Sequence, residues 1–272
     1  MEECGPPPAA AHAPLRAEGD GREESHDLPL TGVARLPSKA VVVLLGLSST
    51  LVTVVFFAVL RNVWLTFVGV ATVWVVVPLG WCRLNSAVKR IVATAGRRGL
   101  RRHRTQLALS LPAALVIIGS AVVIYRFAAR VLIDVDRVRQ RLAEYGLTAA
   151  MPLPDAGVMT WLTFLNPFME EFFWRLFVFQ LLRQPHRSWW TPAACTEMMY
   201  AAYHLPVVAR FLPWAQVLLA GAGLFCFGLL LQIIVERVGL ILALAVHMAG
   251  DFVVSLLVAD IIWSWGIAQA RR

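Results

Sequence analysis

Charged side chains are scarce in this chain of 272 residues: Asp, Glu, Lys and Arg make up 15% of it, whereas hydrophobic residues make up 58%. Several apolar runs reach the roughly 20 residues that a helix needs to cross a bilayer. The runs are continuous rather than alternating, so they do not fit the strands of a membrane β-barrel. The composition therefore argues against a soluble protein and predicts an all-α, polytopic transmembrane helical bundle.

The sequence signatures of several other classes of protein are also missing. The N-terminus lacks a signal peptide with a basic start and an apolar centre. Cys4, Cys82, Cys195 and Cys226 have neither disulfide nor zinc spacing, so we expect small core residues there. No internal repeat is visible, which counts against the repeated architecture of many transporters.

The apolar runs predict about seven spans, with an eighth crossing hidden in 106–145 as the alternative. The predicted spans are 40–60, 63–81, 106–126, 157–182, 190–212, 214–235 and 238–264. An eighth crossing would bring the C-terminal Arg271 and Arg272 to the cytoplasmic side, as the positive-inside rule favours.

These spans divide the chain into four predicted parts. Residues 1–38, rich in Pro, Ala, Gly and Glu, are expected to form a disordered tail. Residues 39–156 would hold the N-terminal transmembrane helices, a basic loop and an amphipathic helix. Residues 157–264 would form a catalytic-type transmembrane core, followed by a C-terminal tail at 265–272.

Positive charge is concentrated after the second predicted span. Eight of the 25 basic residues lie between Arg83 and Arg104, with no acid among them. Beside membrane spans, such a cluster indicates a cytoplasmic loop that contacts anionic lipid rather than nucleic acid. We therefore expect a multi-pass protein of the plasma (inner) membrane, with anionic lipid at loop 83–104 and no nucleic-acid partner.

An amphipathic pattern follows the third predicted span. In AARVLIDVDRVRQRLAEY, residues 128–145, an apolar stripe lies opposite Arg and Asp residues; it comprises Val131, Val135, Val138, Leu142 and Tyr145. This pattern is typical of a helix that lies in the membrane interface.

Three charges stand within an apolar run. NPFMEEFFWRLFVFQLL, residues 166–182, contains Glu170, Glu171 and Arg175. Each ionisable group at the bilayer centre costs about 2.5 to 3.5 kcal/mol. Glu171 and Arg175 can pair because they are four residues apart on one helix face, which leaves Glu170 without a charged partner on its own helix. The set is either a salt-bridge cluster that fixes helix packing or a carboxylate held ready for chemistry.

Two later spans carry residues that could share a cavity with Glu170. Tyr200 and His204 lie one turn apart in the fifth predicted span, and His247 and Asp251 lie one turn apart in the last. Polar groups turn away from lipid, so these side chains are expected to meet. A desolvated glutamate can take a proton from water, and donors from another helix can stabilise the oxyanion formed by attack on a carbonyl.

The same residue types are also those that bind metal ions. Glu170, His204 and His247, with Asp251, would make a zinc ligand set. The HExxH pattern of the common zinc proteases is missing. The sequence therefore requires no cofactor but is compatible with zinc.

Other polar residues of these spans receive simpler interpretations. Glu197 lies seven residues before His204, on the same helix face, and we expect it near the cytoplasmic interface rather than in the cavity. Asn166 and Pro167 precede Glu170 by about one turn and are expected to bend the helix.

In this region the chain resembles the CAAX-protease and bacteriocin-processing (CPBP, or Abi) family of intramembrane glutamic endopeptidases, related to Ras-converting CAAX endopeptidases. EEFFWR matches the family's EExxxR motif. The FxxxH motif corresponds to Tyr200 and His204, with Tyr in place of Phe. The HxxxN motif corresponds to His247 and Asp251, with Asp in place of Asn. The resemblance covers about residues 157–256.

The resemblance implies roles for the matching residues. Glu170 would be the water-activating base with His204 as its partner, and His247 would stabilise the oxyanion with help from Asp251. The residues that would hold the site together are Glu171, Arg175 and Tyr200. Because an ionised aspartate accepts hydrogen bonds but does not donate them, Asp251 would have to be protonated, orient His247 or favour a metal.

The sequence therefore predicts an intramembrane endopeptidase that uses glutamate-activated water to hydrolyse a peptide bond of a membrane-associated protein or peptide. One alternative is a non-catalytic immunity or scaffold protein of the same fold, which Asp251 keeps open. The other is an ion-coupled membrane transporter, since intramembrane charges also mark proton paths. Neither the substrate nor the oligomeric state is indicated.

Overall fold

A computed structural model describes residues 36–148, 152–184 and 188–263, so residues 1–35 of the predicted N-terminal tail and the predicted C-terminal tail at 265–272 lie outside the described residues. Within the described ranges the chain forms nine helices and no strand. The helices are α1 (Lys39–Val59), α2 (Val63–Leu84), α3 (Ser86–Gly99), α4 (His103–Leu132), α5 (Val135–Glu144), α6 (152–183), α7 (Trp190–Phe211), α8 (Trp214–Arg237) and α9 (Leu240–Trp263). The prediction of an all-α helical bundle is confirmed.

Five of these helices are long and apolar enough to cross a membrane: α1, α2, α4 up to Tyr125, α8 and α9. Helices α6 and α7 coincide with two further predicted spans, but they carry charged residues in the interior of the bundle. The total number of crossings stays a prediction. Within the described part of 106–145 there is no eighth long helix, because α4 continues without a break for 30 residues.

Polar side chains cap the first turns of α2 and α3, in the N-terminal half of the bundle. Asn62 Oδ1 accepts a hydrogen bond of 2.9 Å from Leu65 N at the start of α2. Arg61 takes a positive φ of 51°, which turns the chain sharply between α1 and α2. The short link between α1 and α2 therefore forms a tight hairpin. Asn85 likewise accepts from two backbone N–H groups at the start of α3.

The basic segment 83–104 is largely helical rather than an irregular loop. Val88, Ala95 and Gly99 lie on the buried face of α3, whereas its Lys and Arg residues are exposed. The Asn85 cap and this helical spacing of small and apolar residues explain why the segment folds as an amphipathic helix.

The predicted amphipathic helix at 128–145 is split in two. Residues up to Leu132 extend α4, and Asp134 caps α5 by accepting a hydrogen bond of 3.0 Å from Arg137 N. A side-chain cap ends the earlier helix because Asp favours the non-helical cap position over a helix interior. Val138 and Leu142, on the apolar face of α5, pack against the end of α9.

Contacts between helix ends define a basic end of the bundle, which comprises 83–104, Arg183 and 236–241. Arg183 Nη1 lies 2.7 Å from Glu236 Oε2, joining the ends of α6 and α8. The buried side chain of Gln106 accepts a hydrogen bond of 2.8 Å from Ile241 N, joining α4 to α9.

The opposite end of the bundle comprises residues 60–62, 133–148 and 210–213. Arg61 Nη1 lies 3.4 Å from Glu144 Oε2, so the α1–α2 hairpin contacts α5. Arg210 Nε donates to Tyr145 Oη over 3.0 Å at the end of α7. The long helices therefore run in alternating directions between the two ends.

An aromatic core joins α1, α2, α6 and α7 midway between the ends. Trp174 stacks on Tyr203 with ring centroids 5.8 Å apart, and Trp74 meets the same tyrosine edge-on at 5.1 Å. Trp74 Nε1 donates to Ser49 Oγ over 2.9 Å, so the indole has its polar atom satisfied. This core supports the polar side chains described next.

Candidate active site

The backbone of α6 is irregular where its acids lie. Two wider π-helical segments, Trp161–Leu165 and Glu171–Val178, flank the turn Asn166–Glu170. Pro167 has no N–H to donate to the carbonyl one turn earlier, so the regular ladder is interrupted there. The helix bend expected from Asn166 and Pro167 stays a prediction, and the irregularity that the structure shows is a wider segment on each side of their turn. Such π-helical turns occur frequently at functional sites.

Glu170 is fully buried and held asymmetrically. Its Oε1 accepts hydrogen bonds from Tyr203 Oη and from Asn166 Nδ2. Its Oε2 has no hydrogen-bond partner among the described residues and lies 3.6 Å from His247 Nε2. One carboxylate oxygen is therefore fixed by two donors while the other faces an imidazole.

His247 connects α9 to both acids of α6. Its Nδ1 lies 2.7 Å from Glu171 Oε1, and its Nε2 lies 3.9 Å from Asp251 Oδ1 and 3.5 Å from Tyr200 Oη. An ionised carboxylate only accepts hydrogen bonds, so Nδ1 carries a proton toward Glu171. That bond fixes the orientation of the ring and leaves Nε2 facing Glu170.

The predicted ion pair between Glu171 and Arg175 is present, and it is half of a larger cluster. Arg175 Nη1 lies 3.5 Å from Glu171 Oε1, and its Nη2 lies 3.2 Å from Glu197 Oε2. Nη2 also donates to the Gly228 carbonyl over 3.4 Å, and the guanidinium carbon lies 4.7 Å from the Tyr200 ring centroid. One buried cation thus ties together α6, α7 and α8.

The expectation for Glu197 was wrong. This side chain is fully buried and pairs with Arg175 instead of lying at the interface. A buried guanidinium with two carboxylate partners has more of its donors satisfied than one with a single partner. The seven-residue spacing to His204, which places both residues on one helix face, was the signal for the interior position.

His204 lies beside the site without binding Glu170 directly. Its Nδ1 lies 2.9 Å from the Tyr200 carbonyl oxygen of its own helix, and its ring centroid lies 3.9 Å from that of Tyr203. The described residues contain no hydrogen bond or ion pair between His204 and Glu170. The connection runs through Tyr203, whose hydroxyl donates to Glu170.

Asp251 does reach the site, where it is more exposed than Glu170 and His247. Its side chain is 23% exposed, whereas Glu170 and His247 are almost completely buried. Asn166 Nδ2 lies 3.5 Å from Asp251 Oδ2, and this contact joins α6 to α9.

Sequence reasoning missed two residues that bind Glu170. Asn166 was interpreted only as part of a helix bend, although its position one turn before Glu170 places it on the same face. Tyr203 directly precedes His204 and belongs to no motif, so only the packing of α7 against α6 reveals its contact.

The residues do not fit the zinc set considered above. Within the described part of the chain, no group of three or more His, Cys, Asp or Glu side chains is arranged to hold a metal ion. His247 Nε2 lies 3.6 Å from Glu170 Oε2, whereas His204 Nδ1 contacts the Tyr200 carbonyl of its own helix.

The arrangement offers a carboxylate with one open oxygen, an imidazole beside it, and two hydroxyl donors within one buried region. Such a set can accept a proton from water and donate to a developing oxyanion.

Comparison with known proteins gives one finding for this region. A family model described as type II CAAX prenyl endopeptidase Rce1-like matches residues 152–253. The match runs from the start of α6 through Asp251 on α9 and therefore contains every site residue named above. No curated protein and no solved structure matches the chain.

Proposed function

Because residues 152–253 form an Rce1-like domain of the CAAX-protease type, we propose that the protein is an intramembrane endopeptidase in which Glu170 activates water. The substrate is a membrane-associated protein or peptide, and by analogy with the family name it carries a lipidated, prenyl-bearing C-terminal end. The reaction is hydrolysis of a peptide bond near that end.

The observation that carries this proposal is the asymmetry of Glu170. Two donors hold Oε1, and Oε2 is buried without a hydrogen-bond partner, 3.6 Å from His247 Nε2. A buried carboxylate oxygen is costly unless it is hydrogen-bonded. A water molecule at Oε2 would satisfy it and would lie within reach of a substrate carbonyl.

The proposed mechanism assigns one step to each side chain. Glu170 Oε2 takes a proton from the attacking water, which forms the tetrahedral intermediate. His247, when protonated at Nε2, donates to the oxyanion, and the Tyr200 hydroxyl 3.5 Å away is a second donor on the same side. Glu170 then passes its proton to the leaving amine, which completes the hydrolysis.

His204 and Asp251 take outer positions in this scheme. Both are more exposed than Glu170, and they lie on α7 and α9. His204 supports the base through Tyr203 and lines the entrance for the scissile segment. Asp251 interacts with His247 and Asn166.

The same proposal includes the membrane setting. The five apolar helices make this a multi-pass membrane protein. We take α6 and α7 to cross the membrane as well, because they run the full distance between the basic end and the opposite end. We place the basic end on the cytoplasmic side of the plasma (inner) membrane, and the exposed arginines of α3, which would bind anionic lipid, support this orientation.

Purified protein offered prenylated and non-prenylated C-terminal peptides tests the proposal. Glu170→Gln keeps the volume of the side chain but removes the base, so we expect cleavage to fall at least about 100-fold. Asp136→Asn on α5 is the matched control: its carboxylate is 78% exposed and far along the chain from the site, so the rate should stay unchanged.

The remaining interpretations are separate outcomes of that assay. Cleavage that survives Glu170→Gln would refute the assigned base. Absence of cleavage by the wild-type protein across all peptides would favour the non-catalytic scaffold, and proton-coupled uptake into vesicles would favour the transporter. Loss of cleavage after chelator treatment, restored by zinc, would contradict a metal-free site.

A further inference from the structure

We propose that Asn166 is a positioning residue that binds Glu170 and Asp251 together and supplies from α6 the amide group that the family pattern has at position 251. This inference rests on the proposed function, because the role it assigns is to hold the base. It concerns a residue outside the three motifs.

The geometry of the Asn166 side chain carries the inference. Nδ2 donates to Glu170 Oε1 on its own helix and lies 3.5 Å from Asp251 Oδ2 on α9. Carboxylate oxygens only accept hydrogen bonds when ionised, whereas an amide NH2 group has two donors. The amide must therefore turn its nitrogen, not its oxygen, toward the two acids.

This bridge explains how the site contains an aspartate where the family has an asparagine. Glu170 and Asp251 are both within reach of His247, and two carboxylates this close together repel each other. An NH2 group between them offers one N–H to each carboxylate. Relative to the family pattern, this chain has the acid on α9 and the amide on α6. The pair of residue types is therefore kept although the two positions differ.

The consequence for Glu170 is orientational. Tyr203 from α7 and Asn166 from α6 bind the same oxygen, Oε1, from two sides. The other oxygen is thereby held toward His247. Without Asn166 the carboxylate keeps one donor only and can rotate away from the reacting geometry. The change should appear in kcat, with little effect on KM, because Asn166 is assigned no contact with substrate.

The deciding variant is Asn166→Asp, which keeps the shape of the side chain and removes both N–H donors. We expect kcat to fall about 10- to 100-fold, the range for losing a hydrogen bond to a charged group, with KM within about twofold of wild type. The exchange variant Asn166→Asp/Asp251→Asn again pairs an amide with the acid, so it should recover about tenfold of that loss.

Asn62→Asp is the matched control. Asn62 uses only its side-chain oxygen, as an acceptor from Leu65 N, and aspartate is an equally good cap. Activity should therefore be unchanged. Size-exclusion profiles of all variants report whether the fold is kept, and the exchange variant reports on pairing even where the single variant folds less well.

The outcomes separate this inference from the proposed function. No cleavage by wild type would overturn both. Cleavage that depends on Glu170 but is equally fast in Asn166→Asp would overturn the positioning role alone. An exchange variant no faster than Asn166→Asp would also overturn it, because the amide and the acid would then not act as a pair.

Discussion

Replacing Arg175 by methionine would leave two buried carboxylates without their cation. Glu171 and Glu197 are both within 3.5 Å of the guanidinium, and all three side chains are almost completely buried. Removing one partner of a buried ion pair costs about 3 to 5 kcal/mol. For a chain of this size each kcal/mol lowers Tm by about 2 to 4 °C, so Tm should fall by about 6 to 20 °C.

Heating the purified protein in detergent and measuring the fraction that stays monodisperse gives the Tm. Arg183→Met is the matched control on the same helix, since its pair with Glu236 is partly exposed and should be worth about 1 kcal/mol or less. A Tm for Arg175→Met within about 2 °C of wild type would refute the reasoning.

A triple variant separates electrostatics from packing. Arg175→Met combined with Glu171→Gln and Glu197→Gln removes the cation and both acids, and replacing a whole buried ion cluster by neutral residues is often nearly neutral for stability. Tm should therefore recover most of its loss, while activity stays low because the carboxylate that stabilises protonated His247 has been removed. A triple variant as unstable as Arg175→Met would show that the arginine acts by filling space.

Three further outcomes follow from single contacts. Tyr203→Phe removes a donor to the base and should lower kcat about tenfold in the peptide assay; an unchanged kcat would contradict this contact. Gly228→Ala places a Cβ on the buried carboxylate of α7 and should cost about 1 to 3 kcal/mol of stability, whereas Gly223→Ala, with open space around it, should be tolerated. Moving from zwitterionic to anionic nanodiscs should raise Tm, and Arg97→Gln with Arg98→Gln should shrink that gain because each arginine contributes about 1 kcal/mol of binding free energy to anionic lipid; an equal gain in Tm would contradict lipid binding at α3.

The helical bundle could be predicted because solid apolar runs determine both the class and the approximate bounds of the long helices. The boundary between α4 and α5 could not, since the apolar stripe of 128–145 continues through Asp134 while the cap interrupts the backbone. The spacing of apolar residues indicates which side chains share one face of a helix. It does not indicate where a polar side chain accepts a hydrogen bond from the backbone and so starts a new helix.

The candidate site was predictable to the extent that its residues are charged and repeat at helical spacing. Glu170, Glu171, Arg175 and His247 meet as expected because each is costly in lipid and must find polar partners. The contacts of Asn166 and Tyr203 were not predicted, because neutral polar residues cost little free energy in membrane helices and occur there for many reasons. Their contacts depend on the rotation of α6 against α7, which single-helix periodicity does not specify.

The shared cluster around Arg175 and His247 has a consequence for the biogenesis of the protein. During synthesis α6 leaves the ribosome with its three charges before α7 delivers Glu197 and well before α9 delivers His247. Until then the helix carries groups that each cost about 2.5 to 3.5 kcal/mol at the bilayer centre. The pair of Glu171 with Arg175 relieves part of this cost within α6, and we expect the rest to be relieved only when α7 and α9 pack against it. Assembly of the site would then also complete the stable placement of α6 in the membrane.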